Sequence, residues 1–170
     1  MKLTLNFDVR EFVGETTWKA FGENSTWFIN PKIPALAEFY KSFFLNYYQQ
    51  KYAAQTNKVV NVLIVINNWH YVKGGYQDRG FRLPNSKTGA ELSQHKFTNA
   101  FDCDIVIVFA DGTKLEADYK EIHQVILQNE SLFISKGLAA IESVEIAKTW
   151  LHSDCRWIPG QTKILIVKPK

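Results

Sequence analysis

Apolar side chains recur at three- and four-residue steps from Leu36 to Tyr48. This spacing places them along one face of an α-helix. Pro34 stands where the first turn of a helix tolerates proline, and the pattern ends near Gln50. We therefore predict an amphipathic helix over residues 34–50, with its aromatic face packed in the core.

Runs of β-branched and apolar residues predict the strands of a sheet. Residues 59–66 form one such run, and residues 101–109 form a second. Near the C-terminus, residues 151–157 and 163–167 flank the turn-forming pair Pro159-Gly160. We predict that these last two segments are strands and that they pair as a hairpin.

The remaining segments have weaker patterns. Residues 2–13 alternate polar and apolar positions, which predicts a short strand or extended arm that leads into a helical turn. Residues 14–32 are typical of a loop that packs its aromatic rings on the body of the protein. Helical spacing over residues 115–127 predicts a second helix, and residues 141–146 predict a short strand.

These elements together predict a single domain over residues 1–170, of the α+β class, with a mainly antiparallel sheet and helices packed to one side. Hydrophobic residues make up 46% and charged residues 22% of the chain, as in ordinary globular proteins. The net charge of +3, without a run of Lys or Arg, does not favour nucleic acid as a partner. No apolar run approaches the roughly 20 residues that cross a bilayer.

The first ten residues lack an apolar segment followed by a small-residue cleavage site, so we expect no signal peptide. Two cysteines do not make a disulfide framework, which favours a reducing compartment at synthesis. We therefore expect a cytoplasmic protein at synthesis, with no membrane span, that acts as a monomer.

Two polar segments, residues 93–102 and 152–156, offer imidazoles and carboxylates that could meet at one metal ion. Zinc binds nitrogen and oxygen ligands tetrahedrally, and a site with three protein ligands keeps one position open for water. Spacing alone does not separate such a site from ordinary surface or hydrogen-bonded histidines.

Strand alternation adds a condition to this hypothesis. Alternate residues of a strand share a face, so Asp102 and Cys103 point to opposite faces, as do His152 and Cys155. If Asp102 and His152 meet at a metal ion, both cysteines point away from it. We therefore predict that the cysteines are core residues and not ligands.

Ser93, His95, Ala100 and Asp102 match the Ser-x-His-x6-Asp motif of the M15 family of zinc peptidases. That family contains D-alanyl-D-alanine carboxypeptidases and phage endolysins. The segment 152–156, His-Ser-Asp-Cys-Arg, resembles its second motif, His-x-Asp-x-Arg. Asn6-Phe7 and Glu11-Phe12 also resemble the opening of a small branch of bacterial and phage members, so the similarity spans most of the chain.

The resemblance implies a Hedgehog/DD-peptidase-like fold and a Zn2+ ion held by His95, Asp102 and His152. In this family an arginine from the loop before the first motif assists substrate binding and stabilises the oxyanion. Arg79 and Arg82 are the two candidates, and we favour Arg82, because a guanidinium can hold an oxyanion bidentately.

The same resemblance gives roles to three further residues. Ser93 would steady a ligand or the loop that faces the metal, although a turn-forming serine is the alternative. Trp69 and Tyr71, on the long loop after the first strand, could line the groove and contact the peptide. Ordinary loop packing is the alternative for both rings.

The chain departs from the family pattern at two positions. Thr98 stands where the family usually has glycine, so we expect the loop to bend differently. Thr149 stands where many members have the acidic general base, three residues before the last histidine. Asp154 is the nearest substitute. If Asp154 is not the base, either Glu142 or Glu145 reaches in from the preceding segment or catalysis is impaired.

The sequence thus predicts a zinc metallopeptidase that hydrolyses a peptide bond of the peptidoglycan stem peptide, of D-Ala-D-Ala or L-Ala-D-Glu type. The missing signal peptide favours a phage-type endolysin that reaches the cell wall after release. One alternative is a catalytically impaired wall-binding or virion structural module of the same fold. A third hypothesis is an unrelated binding domain.

Overall fold

The structure is a computed structural model that describes residues 1–169. Single turns of 3-10 helix at Val9–Glu11 and Gln94–Phe97, and a longer one at Gly22–Phe28, accompany the regular elements. In chain order these elements are α1 (Glu15–Phe21), α2 (Lys32–Lys51), β1 (Val59–Val65), β2 (Ala100–Phe109), β3 (Lys114–Glu116), α3 (Tyr119–Gln128), α4 (Glu130–Ser135), β4 (Ala140–Glu142), β5 (Leu151–Asp154) and β6 (Leu165–Val167).

The six strands form one sheet in the order β1-β2-β5-β4-β6, and β3 pairs with the outer half of β2. Strand β2 pairs antiparallel with β1, β3 and β5, and β5 pairs antiparallel with β4. Among the strand pairs of residues 1–169, only β4–β6 is parallel. The predicted α+β class with a mainly antiparallel sheet is confirmed.

The predicted hairpin between the last two strands is wrong. Strand β6 lies beside β4, with Ile166 opposite Ile141, and β5 lies on the other side of β4. After the turn at Pro159-Gly160, the side-chain amide of Gln161 donates to the carbonyl oxygen of Ala139 at 2.6 Å. This contact directs the chain to β4, a non-local pairing that a turn signal does not reveal.

The interpretation of residues 14–32 as a loop is also wrong, because α1 and the 3-10 segment lie there. Two glycines, which are also common in loops, bound the helix. Gly14 is the N-cap of α1, and Gly22 is its C-cap with φ of 54°, in the left-handed region that glycine adopts at low cost.

The second predicted helix begins later than its apolar spacing suggested. Leu115 belongs to β3, opposite Ile107 of β2. Helix α3 starts at Tyr119, where the side chain of Asp118 accepts a hydrogen bond from the backbone N–H of Lys120 at 2.9 Å. This N-cap satisfies one of the free N–H groups of the first turn and fixes the start of the helix.

Helix α2 supplies the aromatic face of the core, as its spacing predicted. The ring of Tyr40 lies 5.9 Å from that of Phe101 on β2, measured between centroids. Cys103 and Cys155 are buried in the same core as free thiols, which confirms the prediction that they are core residues. Because residues alternate along β2, the side chain of Asp102 points to the face opposite α2.

No helix within residues 1–169 has both the length and the apolar character that a membrane crossing requires.

Candidate metal centre

Three buried side chains, His95, Asp102 and His152, form a compact cluster. Each offers one ligand atom, and these atoms all lie within 4.8 Å of one another. The Nδ1 atom of His152 lies 2.8 Å from Oδ1 of Asp102, and Nε2 of His95 lies 3.3 Å from Oδ2 of the same carboxylate. Such a set of two nitrogens and one oxygen could hold a metal ion.

Two of these side chains face each other across neighbouring strands. Asp102 on β2 is the register partner of His152 on β5. Directly opposed residues of an antiparallel pair have side chains on the same face, about 5 Å apart at Cβ. The antiparallel ladder therefore places two of the three side chains of the cluster next to each other.

The third side chain, His95, comes from the 3-10 turn that precedes β2. Its Nδ1 atom lies 2.8 Å from the carbonyl oxygen of Gly80. A carbonyl oxygen only accepts, so Nδ1 carries a hydrogen, and in the neutral ring Nε2 presents its lone pair to the cluster. Such a hydrogen bond behind a histidine is typical of metal ligands, because it fixes the ring and its tautomer.

Thr98 ends the 3-10 turn in the left-handed region, with φ of 61° and ψ of 17°. Glycine occupies this region freely, whereas a side chain with a branched Cβ does so at a cost of about 1–2 kcal/mol. Thr98 thus holds a bend that glycine would reach at lower cost.

Burial and ion pairing shift the pKa values of Asp102 and His152 in opposite directions. Burial alone would raise the pKa of Asp102, but the imidazoles of His95 and His152 outweigh it and hold this pKa below its usual value. Burial would likewise lower the pKa of His152, yet the hydrogen bond and charge of Asp102 raise it above 6.5, with smaller contributions from the Glu142 and Asp154 carboxylates. Without a metal ion, the cluster therefore favours an imidazolium–carboxylate pair.

Of the two candidate arginines, Arg82 lies at the cluster. Its Nη2 atom donates to Oδ2 of Asp102 at 3.1 Å. Arg79 is directed to another carboxylate, with Nη1 at 2.6 Å from Oδ1 of Asp104, and its guanidinium lies 3.5 Å from the ring centroid of Tyr76. The structure brings the guanidinium of Arg82, and not that of Arg79, to the candidate ligands.

The cluster opens into a cleft of about 460 Å³. Its polar lining includes the three candidate ligands together with Arg82, Ser93, Glu142 and Arg156. Its larger apolar lining residues are Leu92, Ile146, Trp150 and Val167. The cleft therefore combines a charged floor with apolar walls.

The four apolar wall residues were not among the sequence-based candidates. Trp150 could have been found, because it lies two positions before His152 and shares its face under strand alternation. Val167 reaches the cleft only through the parallel β4–β6 pairing. No local pattern indicates that pairing.

Asp154 is fully buried, and both of its oxygens are occupied. Oδ1 accepts from the backbone N–H of Arg156 at 2.7 Å, and Oδ2 accepts from Nε of the same residue at 2.6 Å. Asp154 is not part of the cleft lining. Its carboxylate thus holds Arg156 in position at the edge of the cleft.

The loop rings and the second candidate glutamate lie elsewhere in the described part of the chain. Trp69 donates its Nε1 hydrogen to the carbonyl oxygen of Val13 at 2.9 Å, and Tyr71 is 59% exposed. Neither ring lines the cleft at the cluster. Glu145 lines a separate cavity with Asp118.

Comparison with known proteins gives no further guidance, because no protein-family profile, no curated protein and no solved structure matches this chain.

Proposed function

We propose that this chain is a zinc-dependent peptidase that hydrolyses a peptide bond of the bacterial peptidoglycan stem peptide, of D-Ala-D-Ala or L-Ala-D-Glu type. The observation that carries the proposal is the buried cluster of His95, Asp102 and His152 at the floor of an open cleft. The order and spacing of the two motifs support the same assignment. A phage-type endolysin is the form of this activity that we favour.

The donor set fits zinc. Two neutral imidazole nitrogens and one carboxylate oxygen are ligands that Zn2+ prefers, and three protein ligands are typical of catalytic sites. A bound zinc ion would act as a Lewis acid toward water and the scissile carbonyl group. The hydrogen bond from His95 to Gly80 already holds one ligand nitrogen in the tautomer that binding requires.

Arg82 has two functions in this proposal. It holds the Asp102 carboxylate in place through Nη2. Its guanidinium also lines the cleft, where it can donate to a carbonyl oxygen that gains negative charge during hydrolysis.

The lining of the cleft is complementary to a short peptide that carries carboxylates. Arg82 and Arg156 provide positive charge, and Leu92 and Trp150 provide apolar contact. A stem peptide offers small methyl side chains and free carboxylates, which match these two kinds of surface. A mild net positive charge of +3 also favours an anionic wall polymer.

Metal content and wall hydrolysis test the proposal together. The purified protein is expected to bind one zinc ion and to clear a peptidoglycan suspension, and a chelator is expected to stop the clearing. The His152→Ala variant should lose both the zinc and the activity. The His70→Gln variant is the matched control, because His70 lies outside the cluster, and it should keep both.

Clearing by a protein stripped of metal, or unchanged clearing by His152→Ala, would contradict the proposal. Mass spectrometry of the released fragments identifies which bond is cut.

A second candidate function, a wall-binding module without catalysis, is favoured by one observation. The family's usual acid position holds Thr149, and the nearby Asp154 is fully engaged by Arg156. A protein that binds zinc and sediments with peptidoglycan, but releases no fragments, would support this second function.

A further inference from the structure

We propose that Glu142 is the general base of this site. This inference rests on the proposed peptidase function. Glu142 would take the role of the acidic residue that the chain lacks at Thr149. Glu142 is the last residue of β4, it is half-buried, and its side chain lines the cleft.

The register of the sheet places Glu142 beside His152. Strands β4 and β5 pair antiparallel, with Ala140 opposite Asp154 and Ile141 opposite Ser153. The next step of the same register brings Glu142 next to His152. Side chains at such opposed positions lie on one face, with Cβ atoms about 5 Å apart.

Glu142 and His152 belong to a row of side chains that continues onto the strands on either side of them. Asp102 of β2 is the register partner of His152, and Val167 of β6 is the register partner of Glu142. All four side chains line the same cleft. Four adjacent strands, β2, β5, β4 and β6, thus each contribute one side chain to a single row across the cleft floor.

The positions next to this row point away, as strand alternation requires. The hydroxyl of Ser153 lies 2.9 Å from that of Tyr40 on α2, inside the core. The side chain of Glu142 is therefore held on the cleft face by the same alternation that places His152 there.

Glu142 is near the candidate ligands without being one of them. The group of side chains whose ligand atoms all lie within 4.8 Å of one another contains His95, Asp102 and His152, and does not include Glu142. A general base needs this arrangement, because it must reach a water molecule beside the metal ion without occupying the open position.

The remaining acidic candidates in the described residues do not meet this condition. Asp154 has no exposed surface and accepts from Arg156 with both oxygens. Glu145 lines a different cavity. Of the acidic residues that line the cleft, Asp102 is engaged in the cluster, and Glu142 is the one that remains.

In the proposed step the Glu142 carboxylate takes one proton from water while the water oxygen bonds to the scissile carbonyl carbon. The protonated Glu142 then gives that proton to the amide nitrogen as the carbon–nitrogen bond breaks. The products are a carboxylic acid and an amine, and the Glu142 carboxylate is regenerated.

The Glu142→Gln variant tests the role, because it keeps the shape of the side chain and removes its basicity. We expect full zinc content and a turnover number reduced about 10²- to 10⁴-fold, with little change in KM. Glu145→Gln is the matched control, three residues away at another cavity, and should keep the wild-type rate. In Glu142→Ala, added formate should restore part of the rate.

A second measurement does not depend on turnover. Acetohydroxamic acid binds metal centres most tightly where a neighbouring carboxylate accepts its hydroxyl proton. Its affinity for the zinc-loaded protein, measured by calorimetry, should fall about tenfold or more in Glu142→Gln and stay unchanged in Glu145→Gln.

The outcomes separate this inference from the proposed function. A Glu142→Gln protein that binds zinc and hydrolyses peptidoglycan at the wild-type rate would overturn the role of Glu142 and leave the peptidase function intact. If the wild-type protein releases no wall fragments and Glu142→Gln still weakens hydroxamate binding, the peptidase function is rejected and Glu142 is supported as a proton acceptor beside the metal ion. Equal hydroxamate affinity in both variants would overturn the inference.

Discussion

The hydroxyl groups of Tyr40 and Ser153 lie 2.9 Å apart in the interior of the protein. Tyr40 comes from α2, and Ser153 is the neighbour of His152 on β5. This buried hydrogen bond joins the long helix to the strand that carries a candidate ligand. The core side of the sheet thereby helps to fix the position of the cluster on the other side.

Removal of one partner should destabilise the protein. Tyr40→Phe leaves the Ser153 hydroxyl buried without its partner, which costs about 1–3 kcal/mol of unfolding free energy. Urea denaturation measures this loss. The double variant Tyr40→Phe with Ser153→Ala should lose less than the sum of the single variants, because neither polar group is then left alone. Tyr71→Phe, on an exposed ring, should change stability little.

The metal-free protein should be most stable at acidic pH. Because the pKa of His152 is raised in the folded state, its contribution to the free energy of unfolding is fully present below pH 6.5. That contribution is lost as the pH rises through the raised pKa. Because the pKa of Asp102 is lowered in the folded state, its contribution to the free energy of unfolding is present above pH 3.8. That contribution is lost as the pH falls through the lowered pKa. Thermal unfolding of the metal-free protein should therefore give its highest midpoint between these limits, with a decline toward alkaline pH.

Bound zinc should counteract the loss of thermal stability that the metal-free protein shows toward alkaline pH. Metal binding requires neutral imidazoles, so protons compete with zinc at His152. The increase in melting temperature on addition of zinc should grow from pH 6 to pH 8. A zinc-induced increase that is the same at both values would contradict the pairing of His152 with Asp102.

Gly89 limits the position of Arg82. Its φ is 78°, and a Cβ atom there would lie 2.6 Å from Nη1 of Arg82. Gly89→Ala should cost about 1 kcal/mol through backbone strain and should also displace the guanidinium from Asp102. Gly112→Ala is the control, since its φ is 86° and nothing lies within 4 Å of the added atom. Both variants should lose similar stability, and only Gly89→Ala should lose peptidase activity while it keeps its zinc.

The two cysteines should resist modification in the folded state. Burial raises the pKa of the Cys155 thiol to about 11, and burial also raises that of Cys103. Thiol labelling at pH 8 should be slow in native protein and fast in denaturant. Native labelling as fast as that of a free thiol would contradict the burial of both residues.

Local patterns predicted the long helix, the central strands and the separation of Asp102 from Cys103, because each depends on a period of a few residues. They did not predict the position of β6, since its partner β4 lies more than twenty residues away. The motifs named the three residues of the cluster, but the distances between them arise from strand register and from the Gly80 carbonyl. The sequence offered three acidic candidates for the base, and the proposal of Glu142 depends on the sheet order and the β4–β5 register.

The alternation along β2 has a consequence for changes in chain length. A single-residue insertion directly after Cys103 would turn the carboxylate of Asp102 into the apolar interior and bring Cys103 to the cleft, because β1 holds the rest of β2 in register. Insertion of two residues would keep both orientations. The exposed loop tip at residues 71–73 has no such parity, so variants that differ in length should be tolerated there and rejected in the strand.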